Sequence, residues 1–154
     1  MQRRTFAVLA ALAPFAARAH HGWSSFDQGR PIWLEGRAVA VAWRNPHAEI
    51  TLELAADLRL PTDLATRPLP AQSAAVDGAS LMKAAQLPTR KDRRWVVELA
   101  PLTRMEAWKV PEIKVGQDLA VLGFTHPGEQ GDAVLRAEYL FVGGRAYGLR
   151  SSPA

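Results

Sequence analysis

Two of the four histidines in this 154-residue chain are adjacent, and their position suggests metal chemistry. His20 and His21 follow Ala17-Arg18-Ala19, which has small residues at the −3 and −1 positions of a signal-peptidase site. Cleavage after Ala19 gives His20 a free α-amine beside its own imidazole, so that one residue can chelate a metal with two nitrogens. One further imidazole completes a T-shaped set of three nitrogens, called a histidine brace. Because nitrogen donors in tetragonal geometry favour Cu(II), the sequence predicts a copper site that forms only after processing.

The other histidines are candidates for the remaining ligands. His47 is the best third ligand, because it follows the turn Trp43-Arg44-Asn45-Pro46 and its side chain can project from the end of a strand pair. His21 competes with it, since a second-position histidine can bind with the amine and its own backbone nitrogen. His126, in the loop Thr125-His126-Pro127-Gly128, is the candidate fourth ligand. The alternative is that His20 and His21 belong to a tail and that His47 only caps neighbouring backbone.

Catalytic arrangements other than a metal site find little support in the sequence. The absence of cysteine excludes thiolate metal sites and cysteine nucleophiles. Ser24 and Ser25 lie near His21, but no acid-oriented Ser-His constellation is visible. The glutamates on strand segments are expected to form a solvated face rather than an acid–base pair; they are Glu35, Glu49, Glu53 and Glu98. A binding protein is therefore favoured over an enzyme.

Residues 1–19 have the features of a cleavable signal peptide. Arg3 and Arg4 form a positive start, and residues 6–17 form an apolar stretch that is too short to span a bilayer. The sequence Arg3-Arg4-Thr5-Phe6 also fits the core of a twin-arginine signal, so the twin-arginine and Sec routes both stay open. The prediction is a periplasmic or secreted protein with no membrane span after cleavage.

The charge balance argues against a nucleic-acid partner. The whole chain has 19 Lys and Arg residues against 15 Asp and Glu, but residues 1–19 hold three arginines and no acid. Cleavage therefore leaves 16 basic against 15 acidic residues. Nucleic-acid binding requires a concentrated positive surface, which this balance does not favour.

Five segments have the apolar character or alternation of β-strands, and they cover residues 32–43, 47–54, 94–99, 119–124 and 133–142. Gly36 inside the first segment permits a sharp bend or a bulge. Leu102, Met105 and Trp108 share one side of a short helix predicted between the third and fourth strands. Strand, strand, strand, helix, strand, strand is the order of a five-stranded Greek-key barrel of the OB type, so the predicted fold class is all-β with one short helix.

The predicted organisation has three parts after the signal peptide is set apart. Residues 20–31 form an N-terminal segment, and residues 32–144 form the barrel. Prolines break the pattern over residues 55–92, which we expect to be a flexible insertion with one short helix near residues 79–86. Gly143-Gly144 is expected to close the domain before a C-terminal tail at residues 145–154.

Several sequence motifs together resemble an uncharacterised family of small exported bacterial proteins, a domain of unknown function. The resemblance rests on Ala19-His20-His21-Gly22-Trp23, on the glycine-containing strand Leu34-Glu35-Gly36-Arg37-Ala38-Val39, and on Trp43-Arg44-Asn45-Pro46-His47. Trp95-Val96-Val97-Glu98-Leu99 and Leu135-Arg136-Ala137-Glu138 are similar in style. The insertion at 55–92 departs from that pattern, since the family has a short hairpin there. The resemblance implies export and an OB-like barrel, and it implies no activity.

The sequence thus predicts a small exported binding protein that holds copper through the mature N-terminal His20 and through His47. The alternative is a metal-free envelope module that binds a protein or a glycan on the face of its barrel. A third class, a copper-dependent oxidase acting on a polymer, requires a flat substrate surface that the sequence does not indicate. The sequence predicts no oligomeric state.

Overall fold

A computed structural model describes residues 22–154 of the chain, so the predicted signal peptide and both His20 and His21 lie outside the described residues. The strands are β1 (Ile32–Ala42), β2 (Glu49–Leu54), β3 (Arg94–Glu98), β4 (Asp118–Phe124), β5 (Val134–Val142) and β6 (Arg145–Gly148). The helices are α1 (Gly78–Ala84) and α2 (Leu102–Ala107). Three single turns of 3₁₀ helix cover Trp23–Ser25, Leu64–Thr66 and Pro127–Glu129.

The first five strands form a closed barrel. Antiparallel pairing runs in the order β3-β2-β1-β4-β5, and a parallel pairing of β3 with β5 closes the ring. In that closing pair Val97 lies opposite Leu135. With α2 between β3 and β4, this is the connectivity of an OB-type barrel. The predicted fold class is confirmed, and all five predicted strands lie within two residues of their expected bounds.

Gly36 allows β1 to pair with two neighbouring strands, β2 and β4. The first half of β1 pairs with β4 and the second half with β2, and Gly36 lies opposite both Leu119 and Leu54. A Cβ atom at this position would collide with the backbone carbonyl of Glu53, so only glycine fits. A register shift follows between Ala38 and Ala40 and bends the strand further. The predicted bend is therefore present.

The barrel interior is filled by alternate side chains of the strands. In β2 these are Ile50, Leu52 and Leu54, while the residues between them are only half-buried. Trp95 crosses the interior from β3 with no exposed surface, and Met105 of α2 belongs to the same buried cluster. Burying these side chains supplies the main stabilisation of the domain, because no disulfide can contribute.

The insertion at residues 55–92 packs on the outside of the barrel. This differs from our expectation of a flexible segment. Leu64 and Met82 form a second buried cluster with Trp33 of β1 and with Leu122 and Tyr139. The predicted short helix within the insertion is α1. Its first turn is capped by Asp77, whose carboxylate accepts hydrogen bonds from the backbone N–H of Ser80 at 3.0 Å and from its hydroxyl at 2.7 Å.

The expected C-terminal tail is also part of the fold. Gly143 and Gly144 both have positive φ angles, of 59° and 73°, and they form a two-residue hairpin turn into β6. Beyond β6, the carbonyl of Ser151 accepts a hydrogen bond from Trp108 Nε1 at 2.8 Å. Within residues 22–154 no helix is long and apolar enough to cross a membrane.

Candidate functional site

A cleft of about 820 Å³ lies on the outer face of β2 and β3. Its walls are two loops, one of residues 43–48 between β1 and β2, and one of residues 125–133 between β4 and β5. OB-type barrels bind their ligands on this face between these two loops. The cleft contains His47 in the first loop and His126 in the second. The fold therefore brings two of the four predicted ligand residues to one place.

His126 is held with one ring nitrogen committed to the backbone. Its Nδ1 lies 3.2 Å from the carbonyl oxygen of Ser25, and a carbonyl can only accept, so the proton is on Nδ1 and the lone pair is on Nε2. The imidazole also stacks on the buried ring of Phe26, with centroids 5.0 Å apart and an interplanar angle of 11°. Metal-binding histidines are oriented in this way, with the second nitrogen donating to a carbonyl.

His47 is positioned by backbone contacts on both sides of its loop. The neighbouring residue Ala48 continues the β2–β3 ladder, with hydrogen bonds to the carbonyl of Ala100 at 2.9 Å and from the N–H of Leu99 at 2.8 Å. Asn45 Oδ1 accepts a hydrogen bond at 3.2 Å from the N–H of Leu102, the first residue of α2. The loop is thus attached to the barrel and to the helix, which restricts where His47 can point.

A row of charged residues crosses the face below His47. Glu49 of β2 lies opposite Glu98 of β3, which in turn lies opposite Arg136 of β5. Arg136 Nη1 donates to Glu98 Oε2 at 3.1 Å and to His47 Nε2 at 3.1 Å. The Arg136 side chain is only 9% exposed, so these contacts are made with little water around them.

Trp23 packs against the same row and fixes the beginning of the described chain. Its indole contacts two guanidinium groups, with Arg136 Cζ 5.1 Å and Arg150 Cζ 3.7 Å from the ring centroid. Arg150 is held by Glu138, whose carboxylate is fully buried and lies 2.7 Å away. Cation–π contacts of this kind stabilise by about 0.5–2 kcal/mol each. Trp23 is therefore a firm anchor three residues after His20.

A buried carboxylate fixes the loop that carries His126. Burial alone would raise the pKa of Glu129, but hydrogen bonds from the backbone N–H of Thr89, from Arg30 and from the backbone N–H of Arg90 outweigh it and hold the pKa at about 2. Its own N–H donates to the carbonyl of His126 at 2.9 Å. The ionised carboxylate thus ties the N-terminal segment and the end of the insertion to this loop.

Charged side chains of both signs line the cleft. Four acidic side chains line it, and they are Glu49, Asp92, Glu98 and Asp132, against two arginines, Arg44 and Arg94. The large aromatic side chain nearest to the cleft, Trp95, is fully buried and offers no exposed stacking platform. Two of these carboxylates are already paired with arginines, Glu98 with Arg136 at 3.1 Å and Asp92 with Arg90 at 2.6 Å.

Within residues 22–154 no group of three or more histidine and acidic side chains is arranged to hold a metal by itself. His47 and His126 provide two candidate ligands, and the other two predicted ligands lie outside the described residues. Sequence reasoning missed the residues that position these histidines, namely Arg136, Glu98, Glu129 and Trp23. The alternation of β5 places Arg136 among apolar residues, and this unusual position was the available signal.

Comparison with known proteins finds a matching family model, and its function is unknown. Residues 8–59 match the model of a family of unknown function, DUF6152. The predicted resemblance to an uncharacterised family is confirmed. The matched segment contains His20, His21 and His47 but ends before His126. No curated protein and no solved structure matches the chain.

Proposed function

We propose that the processed protein is an exported copper-binding protein, which binds Cu(II) in the cleft through the α-amine and imidazole of His20 together with His126 and His47. The observation that carries the proposal is that His47 and His126 line one cleft, with Arg136 joining His47 to Trp23. Copper delivery or sequestration outside the cytoplasm is the role that a binding site of this kind serves.

The length of chain before Trp23 supports the proposal. Three residues span at most about 10 Å. Trp23 contacts Arg136, and Arg136 contacts His47 at 3.1 Å, so Trp23 is linked to the cleft through Arg136. We infer from this link that the amine of His20, three residues before Trp23, can enter the cleft. This amine exists only when cleavage follows Ala19, and export therefore becomes a condition for the site.

The lining of the cleft supports a metal over other ligands. His126 already has the orientation of a metal ligand, since Nδ1 donates to Ser25 and Nε2 carries the lone pair. Nitrogen ligands of this number and type select Cu(II) among divalent first-row ions.

The first experiment determines the mass of the exported protein and then titrates it with Cu(II) against a competing chelator. The proposal expects a chain that begins at His20 and binds one Cu(II) per chain with a submicromolar Kd. His126→Ala and His47→Ala should each weaken binding. Lys114→Ala, an exposed residue that does not line the cleft, is the control and should leave the Kd unchanged.

The rival function is a metal-free module that binds an envelope protein or glycan in this cleft. The position of the cleft on the ligand-binding face of an OB-type barrel favours it. A mature chain that begins elsewhere, or Cu(II) binding no tighter than micromolar, would reject the copper proposal and leave this rival.

A further inference from the structure

The contact between Arg136 and His47 leaves the imidazole unable to bind a metal as it stands. Arginine can only donate hydrogen bonds, so His47 Nε2 must present its lone pair to Arg136 Nη1 at 3.1 Å. A neutral imidazole then carries its proton on Nδ1. The lone pair that a metal would need is therefore engaged by Arg136.

We propose that Arg136 gates the site: the guanidinium occupies His47 Nε2 when copper is absent, and copper binds His47 only when Arg136 withdraws. This inference rests on the proposed function, and it adds a regulatory residue that contacts no metal. Arg136 is an internal cation that competes with the metal for one ligand. The competition concerns His47 alone, because Arg136 contacts Nε2 of this histidine at 3.1 Å.

Arg136 has another partner to which it can withdraw. Its Nη1 is shared between His47 and Glu98, at 3.1 Å in each case, so release of His47 keeps the ion pair with Glu98. The indole of Trp23 covers the guanidinium at 5.1 Å and can hold it after the withdrawal. The cation therefore needs no transfer to bulk water when the gate opens.

Arg136 is also held incompletely in the closed arrangement. Among the described residues, its Nε is buried and has no hydrogen-bond partner. The positive charge of Arg104 is close to it, since burial and the Arg136 charge together lower the pKa of Arg104. An unsatisfied donor and a neighbouring like charge both reduce the cost of moving Arg136.

The test compares Cu(II) affinities of the processed wild-type protein and Arg136→Leu, measured by competition with a chelator. Leucine cannot donate to His47, so the variant should bind Cu(II) about tenfold to a hundredfold more tightly, as expected when one charge-assisted hydrogen bond no longer competes. Arg136→Gln, which is uncharged and shorter, is the second variant if the leucine variant fails to fold. Circular dichroism melting checks the fold of both.

A double-mutant cycle with His47→Ala distinguishes two ways in which replacing Arg136 could raise the Cu(II) affinity: release of His47, or the loss of a positive charge near the site. If Arg136 acts through His47, its replacement should not tighten binding when His47 is already alanine. Equal tightening in both backgrounds would overturn the gate and assign the effect to charge alone. Wild-type binding with no gain in either Arg136 variant would also overturn the gate and leave the copper proposal intact. Absence of binding in every variant would reject the copper proposal itself.

Discussion

At the scale of single residues, Glu129 shows how one ionised carboxylate holds the site together. It accepts hydrogen bonds from residues 30, 89 and 90, and its pKa of about 2 lies below the ordinary 4.5. A carboxyl whose pKa is lower in the folded state stabilises the protein above about pH 4.5, and this stabilisation is lost as the pH falls toward 2. The shift corresponds to about 3 kcal/mol.

We therefore expect Glu129→Gln to lower the free energy of unfolding by about 3 kcal/mol at pH 7. Its unfolding free energy should also change less between pH 4.5 and pH 2 than that of the wild type. Urea unfolding across this pH range measures both effects. Glu112→Gln is the control, because Glu112 is exposed and its ion pair with Lys114 lies at the surface. Parallel pH curves for wild type and Glu129→Gln would contradict the assignment.

The sequence could identify the candidate ligands but not the residues that position them. His47 and His126 are visible because histidines are few and follow turn signals. Arg136 contacts His47 across 89 positions of sequence, and Glu129 meets Thr89 across 40. Such contacts depend on the register of the barrel, in which Glu98 lies opposite Arg136, and no local spacing encodes that register.

At the scale of elements, the bend in β1 depends on one residue. Gly36→Ala should lower the free energy of unfolding by about 3 kcal/mol, because the new methyl group would meet the backbone of Glu53, which cannot move away without breaking the β1–β2 ladder. Chemical denaturation measures the loss. Gly29→Ala is the matched control: its Cβ would lie 3.4 Å from Asp27 Oδ1 and needs little adjustment. Equal stabilities of the two variants would show that the close approach of the Glu53 backbone does not require glycine at position 36.

The insertion at residues 55–92 allows a second prediction at this scale. Met82 is 2% exposed within the outer cluster, so Met82→Ala should cost about 2–5 kcal/mol of unfolding free energy. Val115→Ala, at a residue 65% exposed, should be nearly neutral in the same urea experiment. A neutral Met82→Ala would mean that the insertion is not part of the packed structure.

The packing of the insertion could have been anticipated from the strands rather than from the insertion itself. Its own sequence is rich in proline and alanine and has no clear period, which favours a mobile segment. However, β4 is apolar at nearly every position, and residues 119–124 are all buried. A strand that is apolar on both faces must be covered on both faces. Likewise, a pair of glycines between two apolar segments is a hairpin signal, and here it leads into β6.

At the scale of the whole molecule, the fold was predictable because several levels of the sequence agree. Alternation in β2, the glycine in β1 and the helix position all indicate the same closed barrel. Closure leaves few free strand edges in a domain without disulfides. It also brings the loops at residues 43–48 and 125–133 to one face, and from this topology the shared cleft follows.

The central claim is that this cleft binds copper with the help of the mature N-terminus. The most direct measurement compares the Cu(II) affinity of the protein that begins at His20 with that of the same protein acetylated on the α-amine of His20. The acetyl group converts this amine into an amide and removes a chelating nitrogen, and unlike an added residue it does not place His21 third, where a new copper site would form. We expect submicromolar binding by the first protein and binding at least about a hundredfold weaker by the second, since each nitrogen ligand lost at such a site costs several kcal/mol. Equal affinities of the two proteins would contradict the claim.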